Sequence, residues 1–393
     1  MVAVTQGFNC MDLLRCIARI FLIASVLVMP KVALALVIDP SNRNDSITAQ
    51  FDRGAPSSDV VIWKNQSGQA YDSVDTKKYG KNAWVCTSSS DDTFGACTTT
   101  PFFGVEEGET SIALRFTEEK TKAQATINVI GIKHFWFPPG ICGRDVFPSL
   151  KPISQYNHVS FAGWCNIDLM YAGGIGISAR IPKNQLKNIP SGGKWTAKLK
   201  LNQVKGESNA KVSQFVADIT LNVTDKNNIQ VYLPEFTNAT PVVDLKLRTL
   251  PNGSRLSGTS NVDMCLYDGY NSQSTWFDVT ASDGLTIDRR DKGSYSVLLE
   301  SDKSGAYASR IDYNASLTYA GKKIVLPNNE TVRLQGVNNS AGRTVSLPGI
   351  PVPVVCTPTP LTLETPEFQS VWKRPGKYSN KLTITFTPSS ASL

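Results

Sequence analysis

The sequence predicts an all-β protein made of two β-sandwich domains in tandem, and three observations support this fold class. Apolar and polar residues alternate with a period of two in many short segments, which is typical of half-buried antiparallel strands. Turn sequences such as Pro139-Gly140 and Gly192-Gly193 separate these segments. The chain has 393 residues, which is long enough for two domains. Many short strands separated by turns favour sandwiches over a single barrel.

The alternating segments define the predicted strands. Residues 195–201 place apolar side chains at odd positions, and residues 215–223 repeat the pattern with polar residues between them. Similar runs are residues 60–63, 112–116, 126–130, 229–233 and 295–299. One short helix is expected, near residues 183–188.

The domain boundary is predicted at the polar, turn-prone cluster of residues 225–228, between two strong strands. This gives a first domain at residues 36–225, a short linker at 226–228 and a second domain at 229–393.

The first 35 residues have the features of a secretory signal. Arg15 and Arg19 precede an apolar run at residues 20–29, and Ala33-Leu34-Ala35 has the small-residue spacing of a cleavage site. An uncleaved anchor is the alternative, but the apolar run is shorter than the roughly 20 residues that span a bilayer. We therefore expect export.

The charge balance excludes nucleic-acid binding. The formal net charge is +7, and without the signal segment it falls to +5, from 37 Lys and Arg against 32 Asp and Glu. Neither half of the chain forms a basic domain or tail, which a nucleic-acid partner requires.

No catalytic, metal or cofactor site is predicted. The chain contains neither the GxSxG, HExxH and P-loop motifs nor a CxxC pair. Its two histidines are His134 and His158, and His134 lies among aromatic residues, where we interpret it as structural. The protein is therefore predicted not to be an enzyme, with a carbohydrate-active enzyme as a distant alternative.

Six cysteines follow the signal segment, and an even number in an exported chain indicates disulfide bonds. Six cysteines allow fifteen pairings, of which the sequential one is the simplest. Its three pairs are Cys86–Cys97, Cys142–Cys165 and Cys265–Cys356.

Aromatic residues near cations suit the recognition of sugars or acidic glycans. Five of the seven tryptophans lie before residue 225. Trp195 lies on an apolar strand face, so we assign it to the core. Trp84 lies near Lys81 and just before the Cys86 loop, and we expect it at a binding surface.

The last predicted strand carries Leu382, Ile384 and Phe386 on one face, alternating with threonines. Nothing follows it in the sequence that could cover its edge. An unpaired edge is a template for pairing with another chain.

Five segments of the sequence are distinctive, namely residues 192–202, 224–234, 262–270, 350–356 and 381–390. They resemble the minor tip adhesins of class 5 bacterial fimbriae, the CfaE/CblD-like family, and the region before about residue 140 is similar more loosely. The resemblance implies two immunoglobulin-like sandwiches, namely an N-terminal receptor-binding domain and a C-terminal pilin domain that lacks its last strand.

The resemblance also implies the partners. A periplasmic chaperone fills the incomplete domain first, an outer-membrane usher assembles the fibre, and the major fimbrial subunit then donates its N-terminal extension as the missing strand. The groove for that strand would include Leu382, Ile384 and Phe386. The adhesin domain would bind a host cell-surface glycan or glycoprotein.

Members of this family carry arginines in the receptor patch, and this chain has lysines in the corresponding segments. The matching positions are Lys81 and Lys205. Lysine lacks the planar, bidentate fork of arginine, which points to a different receptor preference. The sequence thus predicts a fimbrial tip adhesin exported through the periplasm to the cell surface. The alternative is a structural initiator of fibre assembly that binds no receptor.

Overall fold

The computed structural model describes residues 39–69, 79, 81–104, 107–135, 150–156, 175–238, 240–251 and 253–392. Within these ranges the chain is almost entirely strand and loop, which confirms the predicted all-β class. Helix α1 (Lys183–Leu186) forms where the helix was predicted. No helix in the described part is long and apolar enough to cross a membrane. The predicted signal segment lies outside the described residues.

The first domain contains ten strands in its described part. They are β1 (Arg43–Asp52), β2 (Val60–Gln69), β3 (Asn82–Cys86), β4 (Phe102–Phe103), β5 (Thr110–Glu118), β6 (Gln124–Phe135), β7 (Gln155–Tyr156), β8 (Ile175–Ile181), β9 (Gly193–Lys205) and β10 (Lys211–Thr224). Eight of them form one sheet in the order β1-β10-β9-β5-β6-β8-β2, with β3 also paired to β9. Strands β4 and β7 form a separate parallel pair.

Strand β9 organises this sheet because it pairs on both sides. Strand β10 covers one edge, while β3 and β5 share the other. The alternation of β10 buries Phe215, Ala217 and Ile219 as the sequence predicted. Trp195 is also completely buried, which confirms its assignment to the core.

The second domain contains fourteen strands in its described part. They are β11 (Gln230–Tyr232), β12 (Arg248–Thr249), β13 (Arg255–Val262), β14 (Cys265–Tyr267), β15 (Trp276–Ser282), β16 (Tyr295–Leu299), β17 (Arg310–Tyr319), β18 (Lys322–Leu326), β19 (Thr331–Gln335), β20 (Arg343–Val345), β21 (Val354–Pro358), β22 (Leu361–Gln369), β23 (Tyr378–Ser379) and β24 (Thr383–Pro388). Three sheets result, in the orders β11-β14-β21-β20, β12-β13-β22-β17-β16-β23 with β18 on β17, and β19-β15-β24.

The two domains meet through a buried polar junction next to a 3₁₀ turn, Lys226–Asn228. Asn271 Nδ2 donates to the Gly192 carbonyl at 2.8 Å, and Asn271 Oδ1 accepts from the Val355 amide at 2.9 Å. A Cβ atom at Gly192 would lie 1.9 Å from the Gly269 carbonyl oxygen, so the contact requires glycine there. The domains are therefore joined by direct hydrogen bonds as well as by the chain.

Two of the three predicted disulfide bonds are present. Cys86–Cys97 closes a short loop after β3, and Cys265–Cys356 links β14 to β21 across 91 residues of sequence. The predicted Cys142–Cys165 pair lies outside the described residues.

Candidate functional site

The two lysines of the predicted receptor patch lie together at one end of the first-domain sheet. Asn82 of β3 is opposite Lys205 of β9, which places Lys81 and Lys205 at the ends of paired strands. The Gly206 amide donates to the Lys81 carbonyl at 3.0 Å and continues this pairing. Lys205 is exposed and Lys81 is partly buried, with 23% of its side chain exposed.

An acidic residue accompanies these lysines. The Lys81 ammonium contacts the Glu207 carboxylate, whose side chain is 65% exposed. An exposed pair of this kind contributes little to folding stability. Its consequence is electrostatic, because Glu207 offsets one of the two positive charges of the surface.

Aromatic residues that sequence reasoning missed lie beside the lysines. A Cβ atom at Gly206 would lie 2.4 Å from Cγ of Tyr156, so Tyr156 packs directly on the turn that follows Lys205. The ring of Phe103 lies 5.9 Å from that of Tyr156, edge to face, and Phe103 is 56% exposed. Pairing of β4 with β7 brings these rings together. We call Lys81, Lys205, Phe103 and Tyr156 the lysine–aromatic surface.

The interpretation of Trp84 as a binding residue is wrong. Its side chain is completely buried, and its ring lies 5.6 Å from that of Phe215 in the core of the first domain. All five residues of β3 are buried, so this strand has no outward-facing side. Trp84 Nε1 is buried without a hydrogen-bond partner, which is consistent with a packing role.

The described residues contain no cluster of three or more His, Cys, Asp or Glu side chains that could hold a metal ion. His134 is buried, and its Nε2 lies 2.8 Å from Ser178 Oγ. Burial lowers the pKa of His134. This environment is consistent with a structural histidine. His158 lies outside the described residues.

A groove of about 440 Å³ opens in the second domain. Its floor consists of core residues of β13, β17, β22 and the segment before β14, namely Val262, Met264, Tyr313, Leu361 and Leu363. One wall is the chain from β11 onward, and it includes Leu233, Phe236, Val243 and Leu245. The other wall is the chain leading into β24. Most of the lining named here is apolar.

The predicted groove residues divide between two positions. Leu382 and Ile384 line the groove. Phe386 does not, because its ring packs against Phe277 at a centroid distance of 5.4 Å. All three side chains are partly buried against the core of the second domain.

Strand β24 has one sheet neighbour among the described residues. It pairs antiparallel with β15, with Ile384 opposite Ala281 and Phe386 opposite Val279. Its other edge, next to the groove, pairs with no described strand. An open strand edge therefore lies directly beside an apolar groove.

Family models match nearly the whole chain. The model for the first domain of CfaE, a CFA/I fimbrial protein, matches residues 32–226, and the model for the second domain of CfaE matches residues 229–390. The chain belongs to the CfaE family of CFA/I fimbrial proteins.

Individual relatives of this family agree with that assignment. The CFA/I fimbrial protein CfaE of Escherichia coli is 33% identical over 324 residues, which are 80% of this chain and 82% of the relative. The crystal structure of CfaE, the adhesive subunit of CFA/I fimbria of enterotoxigenic Escherichia coli, is similar with a TM-score of 0.72 and 27% identity. The similarity covers 90% of this chain and 94% of that one. It confirms the prediction of two tandem all-β domains.

A second solved relative is the adhesin in a structure described as a chaperone–tip adhesin complex of CFA/I fimbriae biogenesis. It has a TM-score of 0.65 and 27% identity, covering 90% of this chain and 98% of that one. Membership in this family of fimbrial proteins implies a non-enzymatic role.

Proposed function

We propose that this protein is the adhesive tip subunit of a fimbria. In this proposal residues 36–225 form the receptor-binding domain and residues 229–393 form a pilin domain that accepts a strand from another subunit. The observation that carries the proposal is the open edge of β24 beside the apolar groove of the second domain. The adhesive role of the related protein supports it.

The groove has the two features that strand addition uses. The free edge of β24 supplies main-chain donors and acceptors, and the groove supplies pockets for alternate side chains of an added strand. Core residues such as Met264 and Leu361 line the groove floor, so an apolar strand would cover them and complete the core. Burial of this apolar surface would stabilise the domain.

The proposed partners follow from this arrangement. A periplasmic chaperone occupies the groove first, and the major fimbrial subunit later replaces it with its N-terminal extension at an outer-membrane usher. The solved chaperone–tip adhesin complex of the related fimbria supports the first step. The predicted signal at residues 1–35 would direct the chain to the periplasm, and assembly would place it at the fimbrial tip on the cell surface.

The lysine–aromatic surface is the proposed receptor site. Lys205 and Lys81 provide charge-assisted hydrogen bonds for an acidic group, and Phe103 and Tyr156 provide aromatic faces for a sugar ring. These groups suit an acidic glycan or glycoprotein on a host cell. The buried Trp84 is not part of this proposal.

The alternative is a structural initiator of fibre assembly without receptor binding. The observation that favours it is the Lys81–Glu207 ion pair, which reduces the positive charge of the surface. Adhesion of the full chain to cells, with its groove filled by a donor-strand peptide, separates the two functions. The tip-adhesin proposal expects saturable adhesion that is lost in the Lys81→Ala/Lys205→Ala variant. Absence of adhesion by a well-folded wild-type chain would leave the initiator role.

A further inference from the structure

An exposed aromatic patch lies on the second domain, away from the groove floor. Its members are Tyr307, Val371 and Trp372, which are 46%, 80% and 57% exposed. The rings of Tyr307 and Trp372 lie 6.4 Å apart between centroids. We call these three residues the aromatic patch. Aromatic residues presented in this way are common anchors of protein–protein interfaces.

The patch is held in place by hydrogen bonds on both sides. Trp372 belongs to a 3₁₀ turn, Ser370–Trp372, whose Ser370 amide donates to the Ser254 carbonyl at 3.0 Å. After the turn, the Arg374 amide donates to the Ala308 carbonyl at 2.9 Å. Arg374 also pairs with Asp302 at 2.6 Å. A partner would therefore meet side chains whose backbone is already ordered, which reduces the entropic cost of binding.

Cations and ion pairs surround the patch. The Lys373 ammonium lies 3.4 Å from the centroid of the Tyr307 ring and donates to the Tyr307 carbonyl at 2.6 Å. Residues 373–381 include four cations and no acidic residue. These cations are Lys373, Arg374, Lys377 and Lys381, of which Arg374 pairs with Asp302 and Lys377 pairs with Glu300. An apolar centre with a charged rim of this kind suits a partner surface that is apolar at its centre and polar at its edge.

The patch lies at the end of the second domain that is remote from the first domain. Strands β13 and β22 pair antiparallel, with Val262 opposite Leu361 at one end of the pair and Arg255 opposite Gln369 at the other. The first end leads through β14 to Gly269, which contacts the first domain. The patch follows Gln369 at the other end. Seven residue steps of β13 separate the two ends, roughly 23 Å.

The groove reaches the same remote end. Asn380 and Lys381 line the groove and come shortly after the patch in the chain. Strand β24 then runs back toward the first domain, where Ser390 Oγ donates to the Asp268 carbonyl at 2.7 Å. A strand added antiparallel to β24, the more stable pairing, therefore ends beside residue 382. Whatever follows that strand in the donor chain emerges next to the aromatic patch.

We propose that the aromatic patch is the contact surface for the folded body of the subunit that donates its strand to the groove. The inference rests on the proposed strand addition, because only an N-terminal donor strand places the donor's body at this end. The patch and the groove then form one continuous interface, in which the groove binds the extension and the patch binds the body.

The experiment compares two probes on the full chain. One probe is a synthetic peptide of the N-terminal extension of the major subunit from the same gene cluster. The other is that whole subunit, with its own groove filled by a fused strand and its extension free. Dissociation rates are measured by surface plasmon resonance for the wild type and for Tyr307→Ala/Trp372→Ala. Phe94→Ala is the matched control, because Phe94 is a partly exposed ring under a lysine ammonium in the first domain.

The expected result is a dissociation rate for the whole subunit that rises about tenfold or more in the double variant, since truncated aromatic anchors have effects of this size. The dissociation rate of the peptide from the double variant stays as in the wild type, which also shows that the variant is folded. A Lys373→Glu variant is also expected to release the whole subunit faster than the wild type does. An unchanged rate for the whole subunit, or equal losses for both probes, would overturn the inference. If the wild type binds neither probe, the proposed strand addition itself fails.

Discussion

The ring of Phe386 lies 5.4 Å from the ring of Phe277, so the last strand of the chain is packed against the core of the second domain by its inner face. The same strand, β24, pairs with β15 on one edge and with no described strand on the other. Its position is therefore fixed while its second edge is available. A pre-formed edge next to an apolar groove is the arrangement that an added strand requires.

Substitution of the two lysines tests the receptor surface. The Lys81→Ala/Lys205→Ala variant is expected to lose most of its adhesion to host cells, because both charge-assisted contacts disappear. Its thermal midpoint should stay close to that of the wild type, since Lys205 is exposed and the ion pair of Lys81 with the exposed Glu207 contributes little to stability. Undiminished adhesion by the folded variant would place the receptor site elsewhere.

Glu207→Gln should strengthen receptor binding, whereas loss of the two lysines should weaken it. The amide no longer offsets the Lys81 ammonium, so binding of an acidic glycan should become tighter and more sensitive to salt. Glycan-array titration at two ionic strengths measures both effects. Weaker binding of acidic glycans by this variant would contradict the proposed role of the lysines.

Substitution of Trp84 should reduce the stability of the first domain. Trp84→Ala is expected to lower the free energy of unfolding by about 3–5 kcal/mol, because it leaves a cavity beside Phe215. Trp84→Phe should cost less, under about 2 kcal/mol, since it also removes a buried N–H without a partner. Urea unfolding measures both values. A Trp84→Ala variant as stable as the wild type but unable to adhere would return Trp84 to the receptor surface.

A buried lysine should make the first domain more stable at alkaline pH. Burial lowers the pKa of Lys133 to about 7, and its Nζ donates to the Asn82 and Gln155 carbonyls. Between that value and the ordinary lysine pKa, the unfolded chain binds a proton that the folded chain lacks. Stability should therefore rise with pH over this window, by up to about 1.4 kcal/mol per pH unit.

Lys133→Met is the matched variant for that pH dependence. It keeps a long side chain in the buried position but cannot titrate. Urea unfolding at pH 7, 8 and 9 should show a smaller rise in the free energy of unfolding than in the wild type. Equal rises in both proteins would exclude Lys133 as the cause.

The two described disulfide bonds should differ in their contribution to stability. On the chain-entropy model, loss of Cys265–Cys356, which spans 91 residues, costs about 4.5 kcal/mol, and loss of Cys86–Cys97, which spans 11, costs about 3 kcal/mol. Paired Cys→Ser substitutions with calorimetry test this order. A larger loss for the short loop would contradict the model.

The sequence predicted those elements that bury one face. Strand β10 alternates Phe215, Ala217 and Ile219 with polar residues, and its period of two is visible without a structure. Strand β3 is buried on both faces and shows no alternation, so no pattern corrected the placement of Trp84 at the surface, which rested on its position near Lys81 and before the Cys86 loop. Alternation in the sequence identifies a strand that has one solvated face. A strand that is buried on both faces has no alternation by which it could be identified.

The candidate sites depended on contacts that the sequence does not encode locally. Phe103 and Tyr156 meet through a two-residue parallel pair between segments about 50 residues apart, and no local pattern predicts that pairing. In the groove, the face of β24 was predicted from its alternation. The opposite wall was missed, because Phe236 and Val243 lie in an irregular segment without a period.

The thermal midpoint of the full chain with and without a donor-strand peptide tests the central claim most directly. The peptide is the N-terminal extension of the major subunit from the same gene cluster, and a scrambled peptide is the control. The account predicts that the chain alone is unstable or aggregates, and that the peptide raises its midpoint in a concentration-dependent way while the scrambled peptide does not. A well-folded monomer with a high midpoint that the peptide leaves unchanged would contradict the claim.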